Sequence, residues 1–118
     1  YYRFDPDIPG WDNAGTFHSV DLWFFFETLA KCWRPFVGRH YDLSRMMCNY
    51  WVNFIKTGDP NGNDADGKPM PYWYPYEKEK PCEMIFMSDR PVVNCGWVTP
   101  FKEFLQEQIK KTISIGKI

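Results

Sequence analysis

In the segment 41–57 the apolar residues Leu43, Met46, Met47, Tyr50, Trp51, Phe54 and Ile55 recur at i, i+3, i+4, i+7 and i+8. Only an α-helix lines such positions up on one face, and Ser44, Arg45, Asn49, Asn53 and Lys56 fall mostly opposite. Asp42 is placed to cap the start, and Gly58 followed by Pro60 stops the end. A stripe this broad must pack on something. Aromatic residues make up 19% of the chain, six of them tryptophan, well above ordinary usage.

Around that helix, residues 1–4 form a short β-prone run that is stopped by Asp5-Pro6 and Pro9-Gly10. The loop 5–16, rich in Asp, Pro and Gly, delivers the chain to His18. A short helix is expected from Ser19, with Asp21 in its first turn. Residues 59–71 read as a loop and 71–76 as a Pro-and-aromatic stretch, while Glu77-Lys78-Glu79-Lys80 is most simply a solvated turn. Met84-Ile85-Phe86-Met87 marks a strand at about 83–87, expected to be the last of its sheet. Thr99-Pro100 starts a closing amphipathic helix over about 99–113, with threonine as N-cap and proline at the first helical position.

With 118 residues the chain suffices for one small domain with a core. It starts at Tyr1 rather than methionine, so a processed or truncated product is expected, and any signal peptide would be lost with the upstream part. Fourteen basic against 15 acidic residues leave no electrostatic footprint for nucleic acid or an anionic membrane surface. The most apolar run, 22–29, is interrupted by Glu27 and is far short of the roughly 20 residues of a membrane helix. Neither nucleic acid nor a membrane span is expected, and cytoplasmic and secreted locations are not distinguished.

Cys32, Cys48, Cys82 and Cys95 contain no Cys-x-x-Cys pair, which argues against structural zinc. A disulfide framework stays open beside the favoured reading of free, buried thiols acting as small hydrophobes. The aromatic content also predicts exposed apolar surface if part of a larger fold is missing, and with it self-association with a second copy.

His18 sits at a loop-to-helix junction where an imidazole can reach outward. Taken without its flanking motif it reads first as a structural histidine hydrogen-bonded under an aromatic cluster, with a chemical role as the alternative. His40, amid Arg34, Arg39 and Arg45, reads as solvated or capping. The acidic stretch from Asp59 to Met70 superficially looks like a calcium loop, but its sixth position is Asp64 instead of glycine and its twelfth is Met70 instead of glutamate. None of Ser19, Ser44, Ser88 or Ser114 lies in a Gly-x-Ser-x-Gly elbow.

Two motifs carry a resemblance. Gly15-Thr16-Phe17-His18-Ser19-Val20-Asp21-Leu22 and Asn53-Phe54-Ile55-Lys56-Thr57-Gly58-Asp59-Pro60-Asn61, in this order and separation, resemble the C-terminal part of the type-B carboxylesterases, the cholinesterase-like branch of the α/β-hydrolases. Pro71-Tyr72-Trp73-Tyr74-Pro75 approximates the Pro-x-Trp-Pro element that follows in that family. The resemblance covers nearly the whole chain.

It implies an α/β fold of two or so strands with helices packed on them, incomplete as a fragment, with residues 1–118 forming a single C-terminal segment. His18 would be the catalytic histidine of a Ser-Glu-His triad. Ser19 and Asp21 would support it, Asp21 standing where the family usually has glutamate. Glu27 replaces a small residue and could reshape the acyl or leaving-group pocket. The nucleophile, the triad acid and the oxyanion hole would lie upstream. The activity implied is hydrolysis of small carboxylic esters by the intact protein, without metal or organic cofactor, the 118-residue chain alone being inactive. The alternative is a non-catalytic interaction module on the same fold. Partners implied are an ester substrate, the upstream part of the polypeptide, or a second copy.

Overall fold

The structure, a computed structural model, describes residues 1–96 and 100–116, the side chains of 114–116 excepted. Strand β1 (Tyr2–Asp5) is followed by a long loop, helix α1 (Val20–Phe25) and a 3₁₀ turn (Leu29–Lys31). Helix α2 (Gly38–Thr57), strands β2 (Cys82–Met87) and β3 (Pro91–Cys95), and helix α3 (Pro100–Gly116) complete the order.

The three strands lie in the order β1-β2-β3. β1 runs parallel to β2, with Tyr2 opposite Met84 and Asp5 opposite Met87. A parallel pair needs a crossover, and α1 and α2 supply it. β3 is antiparallel to β2, with Cys82 opposite Cys95 and Phe86 opposite Pro91. Contrary to expectation, the strand at 82–87 is therefore not the last: Asp89-Arg90-Pro91 turns the chain back into β3. Proline opens that strand at the edge of the described sheet, where its missing N–H costs no ladder bond.

Alternation along β2 creates two different faces. Met84 and Phe86 are fully buried against Phe24 and Phe25 of α1 and Met47 and Tyr50 of α2. Each such side chain contributes about 1.5–3 kcal/mol by leaving water. Phe86 packs edge-on with Phe25 and Trp73 and tilted with Tyr2 and Tyr50, 5.6–6.0 Å from their centroids. Phe25 and Trp51 stack at 3.9 Å. On the opposite face buried Glu83 meets Lys102 of α3 at 2.9 Å, Asn94 at 3.2 Å and Arg3 at 3.9 Å. Charged groups are seldom buried unless paired, and here the carboxylate is paired several times over. Gln106 of α3 donates to the Tyr76 hydroxyl at 2.7 Å.

Helix α2 begins three residues before the expected 41, because its start is made by a histidine. His40 Nδ1 accepts the Val37 backbone N–H at 3.0 Å, so that nitrogen carries a lone pair and Nε2 carries the proton. Nε2 then donates to the Asp7 carbonyl at 3.0 Å. His40 is a capping residue, buried at 1% exposure and so not solvated, and Asp42 lies inside the helix instead of capping it. At the other end Gly58 takes φ 80° and donates to Phe54 O at 2.7 Å, the left-handed stop that glycine allows. The buried stripe is narrower than the periodicity drew it. Leu43, Met47 and Tyr50 are buried, whereas Phe54 and Ile55 are exposed. Ser44 is buried as well, its Oγ donating to Phe24 O at 2.6 Å and tying α2 to α1.

Cys82 and Cys95 form a disulfide, against the free-thiol reading, while Cys32 and Cys48 are free and half-buried. Register is the reason. Gly96 N–H donates to Pro81 O at 2.9 Å, which makes 82–95 the adjacent non-hydrogen-bonded pair, the position where facing side chains come closest. The closing helix starts at Pro100; the proposed cap at Thr99 lies outside the described residues.

Candidate functional site

The loop leaving β1 carries His18. Pro6 and Ile8 are buried at its start, whereas residues 11–19 are all exposed. The loop ends in a tight turn, Val20 N–H donating to Phe17 O at 3.2 Å and Leu22 N–H to Ser19 O at 3.1 Å. Ser19 has φ 67°, uncommon for a residue with a Cβ, and caps α1 by position without a side-chain bond. The turn holds His18 at the surface, where it lines an open depression of about 370 Å³ with Phe4, Thr16, Phe17, Ser19, Val20, Asp21 and Leu22. Among the described residues its imidazole makes no hydrogen bond. The structural-histidine reading thus does not describe His18; the buried, ring-flanked histidine of this chain is His40.

Ser19 and Asp21 line the same depression, but the Asp21 carboxylate is engaged elsewhere. It accepts the Tyr2 hydroxyl at 2.6 Å, pinning α1 to β1. Burial, and then this carboxylate, push the Tyr2 phenol up to about 12.

The rest of the loop is held by a residue that sequence reasoning placed only in the charged surroundings of His40. Arg34 Nη1 donates to Pro9 O at 3.1 Å and to Asp12 Oδ1 at 2.9 Å, and Nη2 to Asp12 Oδ2 at 2.8 Å. Its guanidinium also lies 5.1 Å from the Phe17 ring centroid and 4.6 Å from that of Trp33. Beside it the Asp12 carboxyl is held below the usual carboxylate range. No local pattern announces this contact, since 22 residues separate Arg34 from Asp12.

The second motif is a structural clasp. Thr57 Oγ1 donates to Asn53 O at 2.8 Å, and Asp59 Oδ1 accepts the Asn61 N–H at 2.9 Å. The Asn61 side chain then pairs with the Trp73 backbone, Oδ1 accepting its N–H at 2.6 Å and Nδ2 donating to its carbonyl at 2.9 Å. The amide imitates a strand neighbour and seats Trp73 against Tyr2, Tyr50 and Phe86. Beside it runs a wider apolar groove of about 610 Å³, lined by Tyr1, Tyr50, Trp51, Phe54, Tyr72 and Trp73 among others, which shares no residue with the His18 depression. In the former calcium candidate, Asp64 Oδ1 is taken up by the backbone N–H groups of Asp66 and Lys68. No cluster of three metal-ligating side chains occurs among the described residues, and no helix among them is long and apolar enough to cross a membrane. Chemically, the site offers an exposed imidazole able to accept and return a proton, with no serine of this chain in a nucleophile elbow.

Comparison with known proteins agrees with these motifs. The model of the carboxylesterase family matches residues 1–97. Bile salt-activated lipase of Rattus norvegicus is 35% identical over 75 residues, covering 63% of this chain and 11% of that protein. Carboxylesterase 4A of Bos taurus is 34% identical over 98 residues, covering 75% and 16%. Among solved structures, an esterase from Clostridium hathewayi, described as able to hydrolyse aliphatic aromatic polyesters, superposes with a TM-score of 0.67 at 25% identity over 93% of this chain and 20% of its own. A Geobacillus stearothermophilus carboxylesterase gives 0.59 at 29% identity, covering 85% and 19%. The chain thus spans between about a tenth and a fifth of the relatives it matches. Its three-stranded sheet and helices are part of an α/β-hydrolase fold, and by sequence and by structure the chain belongs to the carboxylesterase family.

Proposed function

We propose that this chain supplies the general base of a carboxylic ester hydrolase of the serine type, in the polypeptide that contains the rest of the fold. The observation that carries the reading is the exposed His18 imidazole on the loop after β1, free of hydrogen bonds among the described residues, and the family match over residues 1–97 supports it. In this reading neutral His18 takes the proton of an upstream serine hydroxyl as that oxygen attacks the ester carbonyl. It returns the proton to the departing alcohol, and then activates the water that cleaves the acyl-enzyme. A third, acidic residue from upstream orients the ring, as triads require. Asp21, bound by Tyr2, and Ser19 shape the wall of the depression. No metal or organic cofactor takes part, and the 118-residue chain alone is inactive because it holds no nucleophile elbow.

The test is hydrolysis of p-nitrophenyl butyrate by the intact polypeptide and its His18→Ala variant. Loss of a triad member costs on the order of 10⁴-fold or more in kcat. Near-normal turnover in His18→Ala would remove this residue from the mechanism. No hydrolysis from an intact polypeptide containing a serine elbow would favour a non-catalytic interaction module, to which the exposed aromatic surface of this chain would then belong.

A further inference from the structure

We propose that Arg34 is the positioning residue for His18, a clamp that fixes the histidine loop in the geometry that proton transfer needs; the inference rests on the reading of His18 as general base. The loop poses a physical problem. Its residues 11–19 are exposed, and Gly10, Asn13, Gly15 and Ser19 all take positive φ. Ordering the backbone costs about 1–2 kcal/mol per residue, and a surface loop has little buried apolar area to offset it. A base must nevertheless be held within a fraction of an ångström, since a misplacement of about 1 Å costs about 10²-fold in rate.

Arg34 reaches both halves of the loop at once. Its two terminal nitrogens grip the Asp12 carboxylate as a fork, and one of them also takes the Pro9 carbonyl. Its flat face lies on Phe17, the residue before His18, which Trp23 of α1 contacts at 6.2 Å between centroids. The guanidinium is roofed by Trp33, itself 6.1 Å from Trp11 of the loop. Two details show that the space is built for this contact. A Cβ on Gly10 would lie 2.6 Å from Arg34 Nη1 and 2.8 Å from Asp12 Oδ1, so only glycine lets the clamp close. Arg34 is 8% exposed, and its Nε is buried without a hydrogen-bond partner among the described residues.

The experiment measures kcat and KM for p-nitrophenyl butyrate in the intact polypeptide with Arg34→Met, Arg34→Lys and Asp12→Asn, each in the wild-type and His18→Ala backgrounds, together with amide hydrogen exchange of residues 9–19. Arg34→Met is expected to lower kcat by about 30–100-fold with KM within about twofold. Arg34→Lys should restore only a minor part, because an ammonium cannot make the fork. Asp12→Asn, on an exposed residue, tests the clamp where loss of buried Arg34 would harm folding. With His18 already gone, Arg34→Met should add less than about twofold, because it acts through His18. Loop exchange should quicken while that of α2 stays unchanged. A kcat within threefold of wild type in both Arg34→Met and Asp12→Asn, an equal fold-loss in the His18→Ala background, or unchanged loop exchange each overturns this proposal while leaving the base reading standing. No hydrolysis by the intact wild type overturns the base reading and, with it, this one.

Discussion

Removing the ring of Phe86 tests the packing that organises the whole chain. Phe86 has no exposed surface, and its four ring neighbours come from four segments: Tyr2 on β1, Phe25 on α1, Tyr50 on α2 and Trp73 in the loop after α2. Phe→Ala substitutions in cores cost about 3–5 kcal/mol, depending on how far the site collapses. Collapse is limited here. Tyr50 is tied through its hydroxyl to Pro71 O at 2.6 Å, Trp73 by the Asn61 clasp and Tyr2 by Asp21, so the rings cannot slide into the void. The expected loss is therefore in the upper half of that range, about 4 kcal/mol, which includes edge-to-face contacts worth about 0.5–1.5 kcal/mol per pair. Urea unfolding followed by tryptophan fluorescence has a slope of about 1–3 kcal/mol/M for a protein of this size, so the midpoint should fall by about 2 M. Phe104→Ala on α3, where the ring is 54% exposed, is the control and should stay within about 0.5 kcal/mol. A shift below about 0.5 M for Phe86→Ala, or equal shifts for both variants, would refute the view that the core is centred on β2.

Reduction of Cys82–Cys95 reopens a loop with a sequence separation of 13, for which chain entropy gives about 3 kcal/mol. Urea midpoints with and without reductant measure it, and coincident curves would contradict the disulfide. Asp7 is held at about 2, against an ordinary 3.8, chiefly by its hydrogen bond from Arg39. A depressed carboxylate stabilises the fold above its unfolded pKa and loses that contribution as pH falls, here between about 3.8 and about 2. Asp7→Asn should accordingly flatten the acid limb of stability against pH over that window while leaving the slope near neutrality unchanged. Asn61→Ala strands the Trp73 backbone N–H and C=O in a partly buried site, and about 1–3 kcal/mol should be lost, with a red-shifted tryptophan emission. An unaltered spectrum and midpoint would show that water replaces the clasp without cost.

Much of this chain is written in short-range pattern. The apolar spacing around Tyr50, the stop at Gly58-Asp59-Pro60, the apolar run at Met84–Met87 and the junction that carries His18 all rest on interactions within a few residues, so a local reading reaches them. What tertiary structure decided depends on partners far apart in the chain. The disulfide follows from strand register, which brings Cys95 opposite Cys82 only once β3 has folded back. The start of α2 moved because His40 found the Val37 N–H and the Asp7 carbonyl, a contact 33 residues away in sequence. The Asp21 carboxylate accepts the Tyr2 hydroxyl across 19 residues of sequence, a contact that exists only once α1 lies beside β1. Arg34 gained its place over the loop from the fold alone. Motif spacing is enough to point to the carboxylesterase family, because the residues of each motif are close in sequence. The contacts around the His18 loop, such as Arg34 with Asp12 and Pro9, join residues more than 20 apart and exist only after the chain has packed.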